Sequence, residues 1–182
     1  SNELHYKNSN IGNYQKCTKN RIIEIESWWN QIDNNWKTIF RSTFHLKSKP
    51  NETDLVQLSN CEYLVVNFEK ELDNIEPLSI FNNLKHLIIY NCPKITDLTP
   101  LSKLTNLKHL DIAKTNVEDL TPLTKLNNLE ELNISNTRVS DLDPICHVPL
   151  KKIIIYNLDL FGFFEPKPSF FMKNPDCEVE IS

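Results

Sequence analysis

The sequence predicts an α/β solenoid: a right-handed coil with a parallel β-sheet on its concave face, short helices or 3₁₀ turns on its convex face, and a helical cap at the N-terminal end. Three observations predict it. Segments 78–101, 101–123 and 123–145 read LSIFNNLKHLIIYNCPKITDLTPL, LSKLTNLKHLDIAKTNVEDLTPL and LTKLNNLEELNISNTRVSDLDPI, so leucines, a Thr or Cys, an Asp and a Pro return every 22 or 23 residues. A fixed period of this size belongs to stacked-coil architectures. Within each copy a short stretch alternates apolar and polar, as a half-buried strand does. Ahead of the copies, bulky apolar residues recur at three- and four-residue steps, the pattern of an amphipathic helix.

In chain order, residues 1–20 are polar and rich in Asn and Lys and are expected to form a mobile arm. Residues 21–54 form the helical cap, in which Ile22, Ile25, Trp28, Trp29, Ile32, Trp36, Ile39, Phe40 and Phe44 recur at three- and four-residue steps, as one helix or as two broken near Asp33-Asn34. Trp28 and Trp29 have two readings. They pack in the cap, or they form an exposed contact for a partner or carbohydrate, since neighbours on a helix do not face the same side.

Residues 55–160 hold five repeats. The cleanest reads Leu107-x-x-Leu110-x-Ile112-x-x-Thr115-x-Val117-x-Asp119-Leu120-x-Pro122-Leu123, and its strand phase recurs at Leu64-Val-Val66, Leu87-Ile-Ile89, Leu132-Asn-Ile134 and Ile153-Ile-Ile155. Pro77, Pro100, Pro122 and Pro144 stand at one place in successive copies and fix φ where the return path begins. The first copy has one extra residue near Glu71-Leu72 and the fifth is one short at Val148-Pro149-Leu150. One coil alone cannot bury its leucines, whereas stacked coils, with strands about 4.8 Å apart, can. Residues 161–182, with Phe161-Gly-Phe-Phe164, Phe170-Phe171 and an alternating Asp176-Cys-Glu-Val-Glu-Ile181, are expected to be a C-terminal cap ending in a strand. No anchor segment is expected beyond it.

The pattern L-x-x-L-x-L-x-x-(N/C/T) with a D-L-x-P-L return resembles the leucine-rich repeat family and, within it, the 22-residue internalin-like class of bacteria. The resemblance implies a protein-binding scaffold. The family's usual ladder Asn is replaced here by Cys92, Thr115 and Thr137, and by Glu69 and Leu158 at the two ends, so its buried hydrogen bonds must be made differently or lost.

Composition limits the remaining possibilities. The chain has 182 residues, 40% apolar, enough for a real core in one domain, and 20 Lys+Arg against 24 Asp+Glu leave it at −4, without the basic stripe that nucleic acid requires. The longest apolar run, around residues 152–156, is strand-sized, so no membrane insertion is expected. Cys17, Cys61, Cys92, Cys146 and Cys177 show no metal-ligand or disulfide spacing, and Cys61, Cys92 and Cys177 read as small buried hydrophobes. Free thiols favour a reducing compartment and hence the cytoplasm. The first residue is Ser rather than Met, and a signal peptide upstream would instead place the protein outside the cell or on its surface.

Function is expected on the concave face, where outward strand residues form three columns: Tyr63, His86, His109, Glu131, Lys152; Val65, Ile88, Asp111, Asn133, Ile154; and Asn67, Tyr90, Ala113, Ser135, Tyr156. The candidate partner-binding residues are Tyr63, Val65, His86, Ile88, Tyr90, His109, Asp111, Glu131, Asn133 and Tyr156. Clustered aromatic and aliphatic groups on a polar face mark a binding surface, unless the N-terminal arm or a second copy covers them. His86 and His109 lie on neighbouring rungs beside Asp111, but paired surface histidines are ordinary, and no metal or cofactor is expected. Cys146-His147 is adjacency in sequence, not the spatial pairing a nucleophile needs, and only Gly12 and Gly162 are available for a phosphate loop. The reading is therefore a non-enzymatic protein-interaction module, a monomer with at most weak self-association. The alternative is an exported internalin-like adhesin recognising a host surface protein or glycan.

Overall fold

The computed structural model describes residues 19–158 and 169–181, and the chain divides into two compact units between Ser59 and Asn60. Residues 1–18, Cys17 among them, and the Phe161–Phe164 cluster lie outside the described residues. Among the described residues no helix is long and apolar enough to cross a membrane.

The first unit is helical: α1 (19–31), α2 (Asn34–Phe44) and α3 (Glu52–Ser59). The amphipathic stretch forms two helices, because Asp33 turns extended and its carboxylate accepts a hydrogen bond from the Trp36 amide at 2.9 Å, capping α2. Asn51 and Asp54 cap α3 reciprocally, each side chain accepting from the other's amide at 2.9 and 3.0 Å. The tryptophans pack within this unit. Trp28 lies 6.1 Å from Trp29 and 5.5 Å from Phe40, Trp36 lies 5.1 Å from Phe40, and the Arg41 guanidinium sits 5.6 Å over the Trp29 ring. Trp29 is buried and Trp28 half-buried, which favours packing over a freely exposed pair.

The second unit carries β1 (Tyr63–Asn67), β2 (His86–Tyr90), β3 (His109–Asp111), β4 (Glu131–Asn133), β5 (Lys152–Ile155) and β6 (Glu178–Ile181). They form one parallel sheet in sequence order. The strand phase is the one the repeat predicts. Leu64, Leu87, Leu110, Leu132 and Ile153 form one inward column and Val66, Ile89, Ile112, Ile134 and Ile155 the next, none more than 2% exposed. Each such side chain contributes about 1.5–3 kcal/mol of burial.

After β1 to β5 the chain turns through a left-handed residue at the same repeat position: Phe68, Asn91, Lys114, Asn136 and Asn157, with φ of 62, 57, 57, 55 and 50°. It then runs through 3₁₀ turns at Glu76–Ile80, Thr99–Lys103, Thr121–Leu123 and Asp143–Ile145, each with Pro in its first positions. Asp97, Asp119 and Asp141 prime three of them, each carboxylate accepting from the amide two residues on at 2.8 Å.

Three of the ladder substitutions make hydrogen bonds of shorter reach. Thr115 and Thr137 hydroxyls donate to the Ile112 and Ile134 carbonyls at 2.7 Å, and the Cys92 thiol lies 3.6 Å from the Val66 and Tyr90 carbonyls. Cys92 is buried as expected and Cys146 is buried too, but Cys61 and Cys177, expected to be buried, are only half-buried. Cys177 precedes an edge strand, where Val179 is half-buried and Ile181 is 56% exposed, so the burial read from alternation is only half realised. Short helix α4 (Ser169–Lys173) buries Phe170, and its first amide donates to the Asp143 carboxylate at 3.1 Å.

Candidate partner-binding face

Parallel pairing in register turns sequence periodicity into columns. Tyr63, His86, His109, Glu131 and Lys152 are partners across β1 to β5, as are Val65, Ile88, Asp111, Asn133 and Ile154. Two of the three predicted columns thus exist as read. The third is interrupted. Ala113 and Ser135 are each 3% exposed, because β3 and β4 end after three residues and the chain then turns inward. Asp111 and Asn133 fix that turn by accepting from the Ala113 and Ser135 amides at 2.8 and 3.0 Å. Tyr90 and Tyr156 consequently stand apart.

The first column is a stack. The His86 and His109 rings lie 4.3 Å apart and nearly parallel, with Tyr63 tilted against His86 at 5.9 Å. His109 Nδ1 meets Glu131 Oε2 at 2.9 Å. Stacking points the ring nitrogens along two parallel planes rather than at one point, a poor arrangement for chelation. Partial burial, then the neighbouring His109, hold His86 below the ordinary histidine pKa. Beside the stack, Asn133 Nδ2 donates to Asp111 Oδ2 at 3.0 Å.

Tyr63, His86, Ile88, His109, Asp111, Glu131 and Asn133, together with Ile154, line an open hollow of about 240 Å³. Seven of the ten candidate residues therefore converge. Val65, Tyr90 and Tyr156 lie outside it.

The face is polarised along the sheet. At the β1–β2 end, Tyr63 is 57% exposed and Val65, Ile88 and Tyr90 are half-buried. At the β5–β6 end, Lys152 pairs with Glu178 at 3.5 Å and Glu180 at 2.6 Å, and the Tyr156 hydroxyl hydrogen-bonds Glu180. Lys152 and then Tyr156 lower the Glu180 pKa, and the same carboxylate raises those of Lys152 and Tyr156. Tyr156 is thus committed to its own chain, unlike Tyr63.

Four residues on this face escaped the sequence reading. Glu178 and Glu180 extend two columns onto β6, facing Lys152 and Ile154; the alternation of 178–181 marked a strand but not its place in the sheet. Phe68 and Lys114 flank Tyr90, the Phe68 ring edge-on at 5.5 Å and the Lys114 ammonium 5.0 Å over the ring. Aligning Phe68 and Lys114 with Asn91, Asn136 and Asn157 would have singled them out, as residues that fit the left-handed turn less well.

Comparison with known proteins agrees with the repeat fold. Residues 105–147 match the family described as Leucine Rich repeats (2 copies), and residues 52–122 match Zer-1-like, Leucine-rich repeats. No curated protein sequence matches the chain. Among solved structures, internalin C2 from Listeria monocytogenes is similar with a TM-score of 0.53 at 24% identity, over 72% of this chain and 56% of that one. A leucine-rich repeat protein of Leptospira interrogans gives a TM-score of 0.54 at 19% identity, over 72% of this chain and 39% of that one. The chain therefore spans about half the length of the internalin and less of the second protein, and at these identities the likeness concerns the fold.

Proposed function

We infer that this leucine-rich repeat protein is a non-enzymatic protein-interaction module, organised as a helical N-terminal part (21–54), five repeats (55–160) and a C-terminal cap (161–182), that binds a protein partner on the concave sheet. One observation carries the reading: seven candidate residues from four adjacent strands converge on a single hollow beside an exposed aromatic end. An exposed aromatic and aliphatic cluster rimmed by polar groups is what a hot spot requires. Tyr63, Val65, Ile88 and Tyr90 serve as anchors, with Phe68 and Lys114 supporting Tyr90. Asp111, Glu131, Asn133, His86 and His109 provide polar selectivity.

The test is affinity capture from the native lysate with the wild-type chain and with Ile88→Ala and Tyr90→Ala. Both positions are half-buried on the sheet face, so the substitutions should abolish capture and leave the melting temperature nearly unchanged. Capture that survives both variants would refute the face. The adhesin reading uses the same surface and differs in its partner. A signal peptide encoded upstream, with capture of a host surface protein or glycan, would favour it.

A further inference from the structure

We propose that the hollow over Ile88 receives an arginine side chain of the partner protein. The proposal rests on the concave-face reading above and names the chemistry of its ligand. About 240 Å³ is less than the roughly 300–1,000 Å³ of small-molecule pockets and suits a single long side chain. Ile88 and Ile154 supply apolar surface, the His86–His109 stack and Tyr63 supply aromatic surface, and Asp111 and Glu131 bring two carboxylates; among the described residues no Lys or Arg lines the hollow.

The carboxylates have acceptor capacity left. Asp111 receives one hydrogen bond on each oxygen, from the Ala113 amide and Asn133 Nδ2. Glu131 Oε2 is held by His109 at 2.9 Å, and its Oε1 has no protein donor among the described residues. A carboxylate offers about four lone-pair sites, so both accept further N–H donors. Partial burial and the neighbouring His109 hold the His86 pKa down, which favours its neutral form.

Only one side-chain type uses all three surfaces. An arginine lays its methylene stem on the isoleucines, stacks its planar guanidinium on an aromatic face and directs its forked donors at carboxylates. A lysine is a hydrated point charge that stacks poorly. An apolar side chain would strip water from two carboxylates without replacing it, and an acidic one would be repelled.

The experiment pans a random-peptide display library on the wild-type chain and measures the recovered peptides against wild type, Ile88→Ala and the Asp111→Asn/Glu131→Gln double variant, with melting curves as a fold check. The expected result is enrichment of arginine and a loss of affinity of roughly tenfold or more in the double variant. Replacing that arginine by citrulline, which keeps shape and removes charge, should produce a similar loss on the unaltered protein. Peptides that need Ile88 yet lack arginine, or bind equally well as citrulline forms, overturn the arginine site and leave the concave-face reading standing. Peptides indifferent to both variants, or no enrichment at all, overturn both.

Discussion

Phe68 is the residue whose presence is hardest to explain by folding alone. It has φ of 62°, and three of the four aligned positions carry Asn. A left-handed backbone costs a residue with Cβ about 1–2 kcal/mol, and Asn tolerates it better. Phe68 is also 62% exposed, so burial does not offset this cost. Its ring lies against Tyr90, which is where its value to the protein must be sought. Phe68→Asn should therefore stabilise the fold by about 0.5–1 kcal/mol, read as a higher urea midpoint, while weakening partner capture; a destabilised variant would show that the ring is structural. Cys61 makes a contrasting case. Burial pushes its thiol up to about 12, so at pH 8 only about one molecule in 10⁴ holds a thiolate. Iodoacetamide should leave Cys61 unmodified in the native protein and label it after unfolding, as read by mass spectrometry. The sequence disclosed the columns because outward residues keep the period of the buried leucines. It did not disclose Phe68, whose importance lies in a backbone angle, or the inward turn of Ala113 and Ser135, which depends on where β3 and β4 stop.

At the scale of the repeat element, the D-L-x-P return joins a turn cap to a proline-started 3₁₀ helix. Asp119 accepts from the Thr121 amide at 2.8 Å, and its bonds to the Thr121 side chain and then the amide hold its pKa below the usual carboxylate value. A depressed carboxylate pKa stabilises the fold above the unfolded value, near 3.9, and the contribution is lost as pH falls through the folded value. Asp119→Ala should cost about 1 kcal/mol at pH 7 through the lost hydrogen bond. The gap in melting temperature from wild type should close on acidification below about pH 4; a gap independent of pH would assign the loss to the backbone instead. This element was legible because Asp and Pro keep fixed offsets in every clean copy. The ladder was legible only as a departure. Cys92, Thr115 and Thr137 announced a missing Asn, but the hydroxyls' reach to carbonyls three residues back required coordinates.

At the scale of the repeat unit, stability should decline toward the end of the stack, because each coil of a solenoid is held by its neighbours. Leu110 lies on β3, with paired strands on both sides, and is 2% exposed. Val179 lies on β6, which among the described residues pairs only with β5, and is half-buried. Leu110→Ala should cost about 2–5 kcal/mol, as a buried leucine truncation does. Val179→Ala should cost about 1 kcal/mol or less, since it leaves an open notch rather than a sealed cavity. Fraying and function meet at this edge. Glu178 and Glu180 hold Lys152 and Tyr156 in place, so opening of β6 would loosen the charged end of the face while leaving the β1–β2 anchors intact. Native-state hydrogen exchange separates the two regions. Strand β6 amides should exchange through a local opening that Val179→Ala accelerates, and β3 amides only through global unfolding that Leu110→Ala accelerates. Equal protection of β6 and β3, with equal destabilisation by the two substitutions, would mean that the terminal strand belongs to the same cooperative block as the repeats, and that the charged end of the face is as rigid as the aromatic one.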